Sequence, residues 1–398
     1  MSQNRIKFLF TIAVIALFYT SCNKTQSSTD LPLPPIYTPS IIINSDNHIM
    51  YAFDLSGSNR NWKFDLPAYN FVPNALFAPS PLLYNEMLYV TFNYSDTIYK
   101  ISSESGKLVK KLNITPYEYF SVVSTPIADG NLIYLATSND TLYAIDTGSG
   151  ATKWAFGTKG PIYSSPTIYN GYIYFGGSDG YVYCLDKTTG YPRWVYNAGT
   201  GKQFNSSPCI GDPYLYIGCT DSNMYCINDY SGGVVWTYKT QGAIYSSPTV
   251  SGGDCIFGSD DHNVYCLDTN SHDTGSRLIW TYLTNDVVRS SPVRYQNTVY
   301  VGSSDYNLYA INFIGTYEKT TSTKWRFATN GVIKSSPIYY NGIVYIGSED
   351  KYLYALDTAG GNIIWKTNIN GLIECSPVID NLGGNTTTTN SGISGYTQ

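Results

Sequence analysis

The chain has 398 residues, 15% of them aromatic and only 13% charged, with 39 tyrosines, 35 glycines and a net charge of −5. An acidic chain this sparing of lysine and arginine argues against nucleic acid as a partner, because phosphate binding calls for a basic surface. Aromatic, glycine-rich and charge-poor composition fits short strands joined by tight turns.

At the N-terminus, Arg5 and Lys7 precede an apolar run from Phe8 to Tyr19. The run is too short for a stable spanning helix and matches a signal h-region. Tyr19-Thr20-Ser21-Cys22 then resembles a bacterial lipobox, with Tyr where Leu is usual. The resemblance implies that residues 1–21 are a lipoprotein signal peptide and that Cys22 carries lipid at the new N-terminus; an ordinary cleaved signal is the alternative. Residues 22–40, polar and containing Pro32, Pro34, Pro35 and Pro39, are expected to be a tether. No later segment is apolar enough to cross a membrane.

From residue 41 onward a repeat takes over. Ser-Pro or Thr-Pro returns at Pro81, Pro126, Pro166, Pro208, Pro248, Pro292, Pro337 and Pro377, every 40–45 residues. Within one repeat, Ser164-Ser165-Pro166 opens a strand to Tyr169 and Asn170-Gly171 is a two-residue hairpin signal. Strands from Tyr172 to Gly176, Tyr181 to Leu185 and Tyr191 to Tyr196 follow, separated by turns. Four antiparallel strands per 40 residues predict a propeller blade that buries its faces only against its neighbours. The final repeat stops after one strand, Ser376 to Asp380, and the chain opens on the matching second strand, Ile41 to Asn44. The fold expected is therefore an all-β, eight-bladed propeller over residues 41–381, its ring closed by the two terminal segments in one blade. Residues 382–398 are expected to be a flexible tail.

The third and fourth strands carry a spaced pattern: a small residue, then Asp or Asn, then Gly, then Trp. It reads Ala144, Asp146, Gly150, Trp154, then Cys184, Asp186, Gly190, Trp194, then Cys226, Asn228, Gly232, Trp236, and again Ala355, Asp357, Gly361, Trp365. Glycine permits the turn, the Asp or Asn side chain bonds the turn backbone, and the small residue leaves room for an indole. The pattern resembles the tryptophan-docking motif of pyrroloquinoline-quinone (PQQ)-type propeller repeats. That resemblance implies that Trp62, Trp154, Trp194, Trp236, Trp280, Trp325 and Trp365 wedge between adjacent blades. Insertions precede Trp280 and Trp325, and one blade departs, with Lys100 and Lys110 in the small-residue and Trp slots. That interface is expected to be the weakest.

Cys184, Cys226 and Cys266 fill the slot held by Ala52, Ala144, Ala310 and Ala355 elsewhere, so they read as small buried residues; Cys219 and Cys226 flank one turn, leaving a pairing across it open. The turn acids Asp179, Asp221, Asp261, Asp305 and Asp350 recur once per blade and read as turn residues, with calcium binding as the sharper alternative. His48, His262 and His272 are scattered on loops. No catalytic, cofactor or metal residue is assigned.

The residue before each Ser-Ser-Pro varies while its neighbours repeat. Ala78, Val123, Tyr163, Asn205, Tyr245, Arg289, Lys334 and Glu374 would border one mouth of the central channel, and the last six are the candidate binding funnel. Residues 65–78 and 115–123, aromatic links on the same face, are the runner-up surface. Among PQQ-type repeat proteins, the lipobox, length and eight blades resemble the BamB-like outer-membrane assembly lipoproteins. The expected role is a non-catalytic, monomeric scaffold. It would sit on the outer membrane facing the periplasm, touch the membrane through lipid only, and bind an envelope protein partner such as the assembly machinery. Glycan or small-ligand binding at the funnel is the second reading. A PQQ-dependent dehydrogenase is the third, although the chain has no adjacent cysteines of the kind that family uses beside its quinone.

Overall fold

A short loop, three antiparallel turns and a bulge are repeated eight times around a ring. The computed structural model describes residues 39–57, 59–66, 79–91, 97–114, 122–270, 277–314, 320–381 and 392–393. Among them lie eight antiparallel sheets, each four strands deep in its own meander. Blade 4 runs Thr167–Tyr169, Tyr172–Gly176, Tyr181–Asp186 and Pro192–Asn197 from the channel outward. Asn170 and Gly171 take φ values of 47° and 84°, the left-handed pair that a two-residue hairpin needs. Blade 1 consists of Ser40–Asn44, Ile49–Asp54 and Arg60–Asp65, with Val378–Asp380 as its innermost strand. The innermost strands of blades 2, 3, 5, 6, 7 and 8 are Leu82–Tyr84, Ile127–Asp129, Cys209–Gly211, Thr249–Ser251, Val293–Tyr295 and Ile338–Tyr340.

The ring closes as the repeat pattern requires: Ser40, Ile41 and Ile42 pair antiparallel with Asp380, Ile379 and Val378. Closure in a shared blade leaves no open edge between first and last repeats. The two middle strands of each blade are buried on both faces, so they read as apolar runs rather than alternating ones. Their side chains form eight apolar clusters, each at a blade–blade interface. One contains Tyr174, Phe204, Leu215 and Tyr225 between blades 4 and 5; another joins Ile41 and Phe53 of blade 1 to Tyr345 and Leu353 of blade 8.

The constant serine beside each proline has a structural use. Its N–H donates to the hydroxyl of the equivalent residue in the next blade: Thr125 to Ser165 (3.0 Å), Ser165 to Ser207 (2.9 Å), Ser207 to Ser247 (3.0 Å) and Ser247 to Ser291 (3.0 Å). The belt continues from Ser291 to Ser336 (3.0 Å), Ser336 to Ser376 (3.1 Å) and Ser376 to Ser80 (2.9 Å), crossing the closure. The preceding serines Ser164, Ser206, Ser246, Ser290 and Ser335 accept an N–H from Gly176, Gly218, Gly258, Gly302 and Gly347 within their own blades.

Each tryptophan lies directly across from the small residue of the pattern, as in Cys184↔Trp194 and Ala144↔Trp154, and a bulge follows that position in every blade, after Lys100 in blade 2. The indole then reaches the next blade. Trp194 Nε1 donates to the Asp229 carbonyl at 2.8 Å, and Trp62, Trp154, Trp325 and Trp365 donate likewise to Ser103, Lys187, Thr358 and Leu55. The turn glycine of the receiving blade sits under the ring: a Cβ on Gly232 would stand 2.6 Å from Trp194. Glycine in the pattern therefore serves the neighbour's indole as well as its own turn. In the departing blade, Lys110 sits opposite Lys100, a like-charge pair, and its ammonium bonds the Gly148 carbonyl.

Trp280 differs from those five. Its Nε1 is buried without a partner, because blade 7 continues its third and fourth strands past the usual turn as Asn307–Ile314 and Thr320–Ala328, and Phe313 instead lies against the indole (5.8 Å). Trp280→Phe is therefore expected to leave stability within about 0.5 kcal/mol of the parent, whereas Trp194→Phe, which removes the shorter of the two hydrogen bonds to the Asp229 carbonyl, should cost about 1 kcal/mol. Chemical melts of the two variants check this; equal losses would refute it.

All seven cysteines among the described residues are buried and unpaired. Cys219 and Cys226 do not pair across their turn because they face opposite sides of blade 5, Cys219 toward blade 4 and Cys226 toward blade 6. Within residues 382–398, read from sequence as a loose tail, Gly392–Ile393 is held as a strand: it pairs in parallel with Cys209 and Ile210, adding a fifth strand to blade 5.

Candidate functional site

The innermost strand of every blade runs away from the face that carries the Ser-Ser-Pro segment. The residue before that segment therefore sits at the channel mouth, beside the turn between the second and third strands. Tyr163 is 37% exposed, Arg289 is exposed, and Asn205, Tyr245, Lys334, Glu374 and Val123 are partly buried. Ala78, most of the aromatic links 65–78 and 115–123, and Cys22 lie outside the described residues.

Neighbouring blades bring several of these side chains together. The Arg289 guanidinium lies over the Tyr245 ring at 4.5 Å, and Lys334 Nζ reaches Glu374 Oε1 at 2.7 Å. Asn205, Arg289 and Lys334 also meet a position that the sequence reading missed, the one just before the recurrent turn aspartate. Ser178 donates to Asn205 Oδ1 at 2.8 Å. Arg289 makes a two-point contact with Asp260, Nε to Oδ1 at 2.9 Å and Nη2 to Oδ2 at 2.8 Å. Lys334 Nζ is shared by a second carboxylate, Glu349, at 2.7 Å. The signal was present: Ser178, Thr220, Asp260, Ser304 and Glu349 vary in type while the residue after each is a constant Asp.

These pairs change the electrostatics expected of the mouth. The hydrogen bonds that Arg289 donates to the Asp260 carboxylate hold it above its ordinary value. Burial would lower Lys334, but Glu349 and Glu374 outweigh it and the ammonium stays charged. Burial pushes the Glu374 carboxyl up, Lys334 draws it down, and Glu349 adds to the rise, so its net shift is upward. Two cations thus face three carboxylates, and the rim does not offer the free positive charge that Arg289 and Lys334 suggest in isolation. An acidic partner loop is correspondingly a poor match.

The turn aspartates are spent within the fold. Asp305 Oδ1 accepts from Asn307 N (3.0 Å), and Oδ2 accepts from Tyr309 Oη (2.5 Å) and from Asn285 N of the link before its blade (3.0 Å). Asp179, Asp261 and Asp350 repeat the arrangement, and Asp221 keeps the Asn223 and Tyr225 contacts. Among the described residues no three His, Cys, Asp or Glu side chains come together as a metal-binding group. His48 and His262 occupy left-handed turn positions (φ 60° and 72°), and His272 lies outside the described residues.

A family profile described as outer membrane protein assembly factor BamB matches residues 96–221 and 178–316. No curated protein matches the chain. Among solved structures, BamB from Moraxella catarrhalis superposes with a TM-score of 0.63 at 17% identity, covering 77% of this chain and 90% of that one. The computationally designed Ika8 protein gives 0.64 at 13% identity, covering 76% and 90%. A europium-containing methanol dehydrogenase gives 0.61 at 12%, covering 78% and 81%. At such identities these structures share the fold, and a fold common to an assembly factor, a designed protein and a dehydrogenase does not choose among their functions.

Proposed function

From the premise that this chain belongs to the family of outer membrane protein assembly factor BamB, we propose that it is a non-catalytic scaffold of the bacterial envelope. It docks a protein partner of outer-membrane assembly on the face that carries the channel mouth. The observation that carries the reading is the rim itself. Its cations are taken up by three neighbouring carboxylates, and what else faces solvent is tyrosine and asparagine. Such a surface suits polypeptide contact, where flat aromatic area and satisfied polar groups dominate. Lipid on Cys22 and the tether 22–40 place the propeller at the periplasmic side of the outer membrane.

The test is co-isolation of the tagged chain with outer-membrane assembly proteins from its own host. Arg289→Ala with Lys334→Ala uncovers three carboxylates at the mouth and is expected to reduce recovery at least tenfold. The three ion pairs are partly exposed, so the melting temperature should hardly move. Full recovery would shift the docking surface to the links at 65–78 and 115–123. Palmitate labelling should vanish in Cys22→Ala, and labelling that persists would refute the anchor. The exposed ring of Tyr163 favours one second reading, a glycan or small ligand at the mouth, which predicts sugar binding lost in Tyr163→Ala.

A further inference from the structure

The innermost strands of a propeller turn their free backbone groups toward the channel, where water ordinarily satisfies them. Among the described residues, seven of the eight sheets end at that strand and one does not. In blade 5, Gly392 pairs with Cys209 and Ile393 with Ile210 in parallel register, on the side of Cys209–Gly211 that faces the channel. The chain enters this contact from Val378–Asp380 in blade 1, and blades 1 and 5 stand four places apart in either direction around the ring of eight. The two inner edges therefore lie on opposite sides of the ring. Eleven residues lie between Asp380 and Gly392, a reach of up to about 40 Å when extended.

We infer that the channel contains a strand-accepting site on the inner edge of blade 5 and that its resident is the C-terminal segment of the same chain. Backbone pairing requires no particular side chains, which fits a tail composed largely of Thr, Asn, Ser and Gly. Covalent attachment supplies the occupant at a high effective concentration, so a short pairing suffices where a free peptide of the same sequence would bind weakly. Any extended segment from another protein enters this edge only by displacing the tail.

The experiment uses the full-length chain. Cys209 lies directly across from Gly392, within the Cα separation that a disulfide spans. Gly392→Cys is expected to cross-link to Cys209 under mild oxidation, as read by peptide mass spectrometry, while Thr387→Cys is not. Amide exchange supplies the second readout. The peptide containing Cys209 and Ile210 should exchange at least tenfold faster in Gly392→Pro, which puts a proline at the position paired with Cys209, and in a chain ending at Asn381. Exchange elsewhere in the propeller should stay as in the parent. No cross-link above the Thr387→Cys background, or unchanged exchange in both variants, would overturn the inference.

Discussion

Trp194→Ala is expected to destabilise the propeller by about 3–5 kcal/mol, the range for truncating a large packed aromatic. The indole contributes at several places at once. It stands across from Cys184, touches the Tyr174 ring at 6.0 Å, covers the turn glycine Gly232 and donates to the Asp229 carbonyl. Truncation empties the volume over Gly232 and in the same step leaves that carbonyl only the longer bond from the Tyr174 hydroxyl, 3.4 Å. Lys110→Ala, at the corresponding place in blade 2, should stay within about 0.5 kcal/mol, as exposed positions do. Its single bond to Gly148 is offset by relief of the repulsion from Lys100. Denaturant melts of both variants check the contrast, and comparable losses would show that the tryptophans do not hold the blades together.

Asp305→Asn should cost about 2–3 kcal/mol near neutral pH, in the range for hydrogen bonds to a charged group. The amide substitutes an N–H₂ for one acceptor oxygen, and the Asn285 N–H that points at Oδ2 cannot reverse its role. The pH dependence follows from the same contacts. Burial alone would raise the Asp305 carboxyl, but the Tyr309 hydroxyl and the N–H groups of Asn285 and Asn307 outweigh it and hold it below the usual carboxylate value. A carboxyl depressed in the folded state stabilises fully above its unfolded pKa of about 4 and loses that contribution as pH falls through the folded value. The stability gap between parent and Asp305→Asn should therefore be widest at pH 6–7 and narrow below about pH 4. Asp221 is depressed in the same sense by Tyr225, Lys202 and Asn223 against its own burial, so acid should weaken the ring at two blades together. A gap that stays constant down to pH 3 would mean that the charge on Asp305 is not what holds the turn.

The sequence by itself determined the blade, the number of blades and the way the ring closes. Those features rest on local rules repeated eight times: Asn170-Gly171 demands a hairpin, alternation and short runs demand strands, and a half-repeat at each end demands a partner at the other. The tertiary structure decided everything that passes from one blade to the next. Gly232 looked like a residue for its own turn, yet the ring above it belongs to blade 4. Arg289 and Lys334 are legible in the sequence as funnel positions, yet Asp260 and Glu349, 29 and 15 residues away in the chain, meet them at the mouth. Trp280 matched the other tryptophans in sequence and lacks a partner only because blade 7 extends its hairpin beyond the usual turn. Ile393 carried no strand signal, because backbone pairing to a free edge depends on where that edge lies rather than on the side chains that arrive. Strand and turn preferences act over a few residues and leave their mark in the order of amino acids. The contacts between blades depend on how each sheet is rotated against its neighbour, and only closure of the ring sets that rotation.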